Sequence, residues 1–175
     1  MKLILEIRDK ELGLKSKKPS VMKRRDASRA VLIKGRKKAL LNVTRQKYHK
    51  LPGGGVEGKE SIKEALQREL LEETGCTIKI MGEVGKIVEH RARTNVLQTS
   101  YCYIAKAIKE GKPKFDAGER RAGFRLEWVG IKQAMEALGN EKPRAYEGKF
   151  IVVRDLEILK AAKDMIKSKL SNLLH

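Results

Sequence analysis

Residues 53–75 read GGGVEGKESIKEALQRELLEETG, and the spacing of glycine, serine and glutamate within them decides both local fold and binding chemistry. Three glycines after Pro52 cannot hold a regular helix or a central strand, so YHKLPGGGVEGKE, residues 48–60, is predicted as loop. A helix then starts at Ser61, because SIKE has the form of a capping box: Ser61 caps the backbone and Glu64 reaches back to it. Gly75 ends the helix as a left-handed cap.

Within that helix Glu69, Glu72 and Glu73 stand as i, i+3 and i+4 and share an arc of about 100°. The arc overlaps that of Ile62, Ala65 and Leu66, so the carboxylates are predicted to face the packed side. Lys63, Glu64, Gln67 and Arg68 are expected to point outward, and Leu71 breaks the pattern there. A charge run on a helix is ordinarily a solvated face. Crowded carboxylates on a packing face differ, since they repel and cannot all ionise cheaply without a cation. Oxygen-only donors beside a phosphate site point to a hard divalent ion, Mg²⁺, with Mn²⁺ as a substitute. Gly53, Gly54 and Gly55 lack Cβ atoms and let the backbone approach a ligand. No GK[ST] follows at the spacing of a Walker loop.

Outward from this segment, MKLILEI (residues 1–7) alternates as a strand, and ASRAVLIKGRKKALLNVTR (27–45) reads as a hairpin turned at Gly35. Strands are predicted at TIKIMGEVGKIVEHR (77–91), NVLQTSYCYIAKAI (95–108) and RLEWVG (125–130), with a polar excursion over 109–124. Helices are predicted at IKQAMEAL (131–138) and from about Glu147 to the end. The order implies a layered α/β fold with a mixed sheet.

The chain's 175 residues suit one domain, divided here into an N-terminal strand and basic segment (1–27) and a main body (28–175). A hydrophobic fraction of 41% supports a packed core, and 35% charged residues leave a solvated surface. Lys and Arg number 40 against 22 Asp and Glu, an excess that attracts nucleic acid or any polyphosphate, or that belongs to a proteome basic throughout. KSKKPSVMKRR (15–25) concentrates part of it and is predicted as a loop or phosphate-seeking arm. No apolar run approaches the roughly 18 residues of a membrane span, and MKLILEIRDK is unlike a secretory signal. The expectation is a cytoplasmic protein without a membrane partner. Cys76 and Cys102 lack a CxxC spacing and lie in apolar stretches, as buried reduced thiols would.

Residues 53–75 resemble the Nudix box, G-x5-E-x7-R-E-U-x-E-E-x-G-U with U a bulky aliphatic, at Gly54, Glu60, Arg68, Glu69, Leu70, Glu72, Glu73 and Gly75. Cys76 stands where an aliphatic is usual, and Lys59 where a small residue is common. YEGKFIVVRDLEIL and QTSYCY are similar to a MutT-like branch. The resemblance implies an α/β/α sandwich with a mixed central sheet, here with an extra N-terminal strand and a long C-terminal helix. It also implies a Mg²⁺-dependent hydrolase that cleaves the pyrophosphate of a nucleoside diphosphate derivative, such as an oxidised or ordinary (d)NTP. Glu69, Glu72 and Glu73 would then hold the metal, with the Gly53 carbonyl as a further ligand. The general base is Glu69 or a distal carboxylate, for which Glu119 is preferred over Asp116 and Glu127. Arg68 would orient a ligand carboxylate, and Glu60 would buttress the loop.

Arg29, Arg45 and Lys50 are the candidates for substrate phosphates, although each also reads as an ordinary surface charge. Tyr48 and His49 are candidates to border a base pocket, and Trp128 reads as core. Two other functions stay open at this level: an RNA 5′-end pyrophosphohydrolase, and a non-catalytic module that binds RNA or a nucleotide. MKLILEI and the last helix are candidate surfaces for a homodimer.

Overall fold

The alternating run LILEIR forms β1 (Leu3–Arg8), the first strand of a seven-stranded sheet. The structure, a computed structural model, describes residues 1–16 and 21–172, with side chains through residue 166. Residues 17–20 of the expected basic arm and 173–175 of the expected last helix lie outside the described residues. Lys23–Arg25, also expected in that arm, instead open β2 (Lys23–Lys34), because their backbone pairs in parallel with β6 (Val96–Lys109) from the Lys23–Val96 position onward.

The remaining strands are β3 (Lys37–Val43), β4 (Tyr48–Lys50), β5 (Thr77–Arg91) and β7 (Phe124–Val129). Their order is β1-β5-β6-β2-β3-β4, with β7 also paired to β3. The β1–β5 and β2–β6 pairs are parallel and the others antiparallel, which makes the sheet mixed.

The predicted hairpin forms, but β2 and β3 stay paired only at Ile33–Lys38 and Lys34–Lys37 before they diverge. β4 fills the opening on the β3 side, through pairs from Leu41–Lys50 to Val43–Tyr48. The glycine loop fills it on the β2 side: the Ala30 N–H donates to the Pro52 carbonyl (3.1 Å), Ser28 N–H to Gly54 (2.9 Å) and Val56 N–H to Asp26 (2.9 Å). Residues 48–60, expected to be all loop, therefore begin with a short strand and continue as a substitute strand, because the split sheet offers partners on both sides.

α1 (Ile62–Thr74) has both caps as expected. Ser61 N–H donates to Glu64 (2.7 Å), the Glu64 N–H to the Ser61 hydroxyl (3.3 Å), and Gly75 adopts φ +71°. Its Leu66 and Leu70 pack with Ala30, Leu32, Ala39 and Cys76 on one face of the sheet. α3 (Ile131–Asn140) and α4 (Tyr146–Asn172) cover the other, where Ala134, Leu138, Phe150, Ile158 and Leu159 meet Val31, Leu40 and Ile87. Side-chain alternation along β2 thus divides Ala30 and Leu32 from Val31, and the two helical layers enclose the sheet as an α/β/α sandwich. Each fully buried Leu or Ile contributes about 1.5–3 kcal/mol.

The polar excursion is not wholly irregular: it contains α2 (Ala117–Ala122), closed at its start by Asp116 and Glu119, which exchange backbone N–H bonds of 2.8 Å. Both cysteines are buried free thiols, and burial pushes the Cys102 thiol up to about 12. Among the described residues no helix is long and apolar enough to cross a membrane.

Gly75 does more than cap α1. A Cβ there would sit 2.5 Å from the Gly111 carbonyl carbon, so the loop after β6 can lie directly on the helix end. The Lys114 N–H then donates to the Glu72 carbonyl at 2.7 Å, which fixes the approach to α2. Gly75→Ala combines a strained left-handed backbone with this collision, and is expected to lower unfolding stability by about 1–3 kcal/mol. Urea denaturation checks it; a midpoint equal to the parent's would remove Gly75 from this role.

Candidate active site

The glycine loop is held by buried charge. The Leu51 N–H donates to Asp155 Oδ2 of α4 at 2.7 Å, and the Gly53 N–H donates to Glu73 Oε2 of α1 at 2.6 Å. Arg29 Nη1 donates to the Gly53 carbonyl, and Lys50 Nζ donates to the same oxygen at 3.3 Å. Gly53 sits at φ +126°, and a Cβ there would collide with the Ser28 carbonyl, so only glycine permits this packing against β2.

Behind the loop lies a buried network that the sequence reading missed. Arg154 and Asp155 are wholly buried, and Arg154 Nε bonds Asp155 Oδ1 at 2.7 Å. Arg154 Nη1 reaches Glu89 at 3.3 Å; Glu89 also accepts from Arg91 (2.8 Å) and Gln98 (2.6 Å). Burial alone would raise the Glu89 carboxyl, but Arg154 and Arg91 outweigh it and hold it at about 2. Burial, and next the Arg154 charge, lower Arg29 to about 10. A charged pair inside the apolar run FIVVRDLEIL was the available signal, since buried charge must find partners.

On α1 the three glutamates are graded in exposure. Glu73 is 1% exposed and bonds Lys50 Nζ at 2.7 Å, Glu69 is 12% exposed, and Glu72 is 48% exposed. Arg68, expected to point outward, turns into this group. It binds Glu60 (2.7 and 3.1 Å), the Gly55 carbonyl (3.0 Å), Glu69 (2.9 Å) and Glu72 (3.3 Å). The reason is local: Glu60 is fixed by the Glu57 N–H (2.8 Å), and its carboxylate draws the guanidinium over the loop. Hydrogen bonding to Glu60 is also the main cause that raises Arg68's own pKa. Glu60 thus links the Glu57 backbone of the loop to Arg68 of α1.

These groups line one cleft of about 750 Å³, together with Arg25, Lys114, Asp116 and Glu119. Glu119, expected in a loop, enters from α2. Burial raises its carboxyl to about 7, with the Glu73 and Asp116 charges adding and the Asp116 N–H opposing. Arg29 and Lys50 line the cleft, but both are engaged with Gly53. The Gly53 carbonyl, expected as a metal ligand, accepts from both of those cationic donors. Arg45 lies elsewhere: its N–H bonds the Ala122 carbonyl at 3.2 Å, and it faces a separate depression with Lys142 and Arg144. Tyr48 is buried and His49 is tied to Glu141 and Glu127, so neither borders the cleft. Glu127 is also spent on Asn42 (2.8 Å), and Trp128 packs in the α1-side core under Lys34.

Among the described residues no three acidic, His or Cys side chains are drawn together as a ready ligand cluster. The donor chemistry nevertheless fits a hard divalent ion. Gly54 lacks a Cβ exactly where the Glu69 carboxylate comes against the loop. Burial, then the Glu73 charge, keep the Glu69 carboxyl above its ordinary value despite Arg68 and Lys50. The Glu69 carboxylate therefore remains short of positive charge, which oxygen-seeking cations supply.

The family model described as NUDIX domain matches residues 23–150, and the chain belongs to the Nudix family. It is a Nudix hydrolase. A NUDIX hydrolase from Nitrosomonas europaea has a similar fold, with a TM-score of 0.60 at 23% identity over 81% of this chain and 91% of that one. An ADP-ribose pyrophosphatase from Streptococcus suis gives 0.52 at 18% identity, over 79% and 91%. A MutT NUDIX hydrolase from Burkholderia pseudomallei gives 0.52 at 20%, over 74% and 96%. Comparison with curated protein sequences gives no match.

The clamp on the loop has a measurable cost of removal. Asp155→Ala strips the Leu51 N–H and the Nε of buried Arg154 of their acceptor, leaving Arg154 only Glu89, and should destabilise the fold by about 3–5 kcal/mol. Asp155→Asn, which keeps an acceptor for Leu51, should cost less. Denaturation midpoints of the two variants test this, and an Ala variant within about 1 kcal/mol of the parent contradicts it.

Proposed function

We propose that this cleft hydrolyses the pyrophosphate linkage of a nucleoside diphosphate derivative, a class that includes ordinary and oxidised (d)NTPs. The observation that carries the reading is the convergence of Glu69, Glu72 and Glu73 with the glycine loop in one cleft, with Glu119 entering from α2. Glu69, Glu72 and Glu73 would hold Mg²⁺, for which Mn²⁺ can substitute. The ion supplies charge neutralisation at the bridging phosphates and activation of water.

The chain's own residues account for the rest. The clamped backbone from Leu51 to Gly53 fixes the floor of the cleft, so little reorganisation is needed as charge develops. Arg68 holds Glu69 and Glu72 in place from one side, and Lys50 holds Glu73 from another. Glu119 accepts the proton of the attacking water; a carboxyl at about 7 is poised for that transfer near neutral pH.

Glu72 is the exposed member of the three, so Glu72→Gln leaves stability within about 0.5 kcal/mol. It should nevertheless lower kcat at least ~100-fold, a loss typical of removing one charged element from a reacting centre. Mg²⁺-dependent phosphate release measures it. A folded Gln variant as active as the parent would refute the assigned site.

A further inference from the structure

Small-molecule sites are usually lined by apolar and aromatic groups with a few neutral polar side chains that read the ligand's shape. This cleft is the reverse. Among its described lining residues Val56 carries the only apolar side chain, and there is no Ser, Thr, Asn, Gln, His or aromatic residue. The remainder are charged groups and glycine backbone.

The chain has eight aromatic residues, and all are committed elsewhere. Phe115 packs edge-on to Phe124, and Tyr146 to Phe150. Trp128 lies under Lys34, Tyr48 and Tyr103 are buried, and Tyr101 joins the α1-side core. Phe124 also carries Lys50 Nζ over its ring at 5.2 Å, and no ring or neutral polar side chain is among the cleft's described lining residues.

Three cations at the cleft are paired with no carboxylate among the described ion pairs; Arg29 is spent on the Gly53 carbonyl, which leaves Arg25 and Lys114. Arg25 lies against the Gly55 backbone, and its one side-chain hydrogen bond is to the neutral Gln98 carbonyl, at 3.2 Å. Lys114 is fixed by its backbone beside Glu72, and its ammonium has no described partner. The free charge therefore flanks the carboxylates at the loop and at the end of α1, where a run of phosphates would need it.

We infer that the site selects its substrate by phosphate density: it takes compounds with three or more contiguous phosphates and leaves the organic group outside the cleft, unread. The inference rests on the pyrophosphohydrolase reading and narrows its substrate class. Discrimination between bases needs hydrogen-bonding groups that the wrong base leaves unpaired, and the buried groups of this cleft, Arg29 and Glu73, are engaged with Gly53 and Lys50.

The test compares kcat/KM with Mg²⁺ for ATP, GTP, CTP, UTP, adenosine 5′-tetraphosphate and ADP-ribose. The four triphosphates should agree within about threefold, and the tetraphosphate should exceed ADP-ribose by at least about tenfold. Arg25→Gln with Lys114→Gln should raise KM for the tetraphosphate about 10- to 100-fold with kcat nearly unchanged, and affect ADP-ribose less. A preference of more than about tenfold for one base, or ADP-ribose turned over as well as the tetraphosphate, overturns the inference. Calorimetry with β,γ-methylene triphosphates of the four bases separates the two readings. Base-indifferent binding without turnover of any compound sinks the hydrolase and keeps the phosphate selectivity; base-selective turnover does the opposite.

Discussion

The fold turns on a buried clamp around three residues of main chain. Asp155 and Glu73 accept the Leu51 and Gly53 N–H groups from α4 and α1, on opposite faces of the sheet, while Arg29 donates to the Gly53 carbonyl from β2. Without it, the split between β2 and β3 would hold a mobile glycine segment. Charges this deeply buried gain little net stability over well-packed apolar groups, because desolvation offsets much of their attraction. What they supply is position: the loop lies in one place, and α1 meets it with its carboxylates at a fixed height.

Electrostatics then divides the molecule into two regimes. Behind the loop, Arg154 and Arg91 are matched by Glu89 and Asp155, buried away from solvent and salt. In front of it, Glu69, Glu72, Glu73, Asp116 and Glu119 gather in an open cleft on a chain whose formal charge is +18. An acidic pocket in a basic surface suits a polyanion that arrives with a divalent cation: the surface draws it in, and the cation removes the local repulsion.

Much of this was legible in the sequence where interactions are local. The caps of α1 follow from residues three apart, and β2, β5 and β6 follow from strand-like apolar runs bounded by turns. The box placed Glu69, Glu72 and Glu73 on one helix beside the glycines. The spacing of Asp116 and Glu119 is itself a capping box, so α2 could have been found by the rule that found α1. Other features depend on long-range partners and could not be read. β4 exists only because β3 lies beside it, and Asp155 bonds a residue 104 positions away. Arg68 turns inward because Glu60 is already anchored, which a helical wheel does not include. Arg45 is adjacent to the box in sequence, yet the turn after β3 carries it to another surface.

Glu69, Glu72 and Glu73 of α1, beside the clamped loop, are proposed to form a divalent-cation site. Anomalous diffraction from crystals of the full chain soaked in Mn²⁺ tests it most directly. The expected result is a strong manganese peak among those three carboxylates. Manganese bound only elsewhere on the protein, with that part of the cleft empty at saturating concentration, would contradict it.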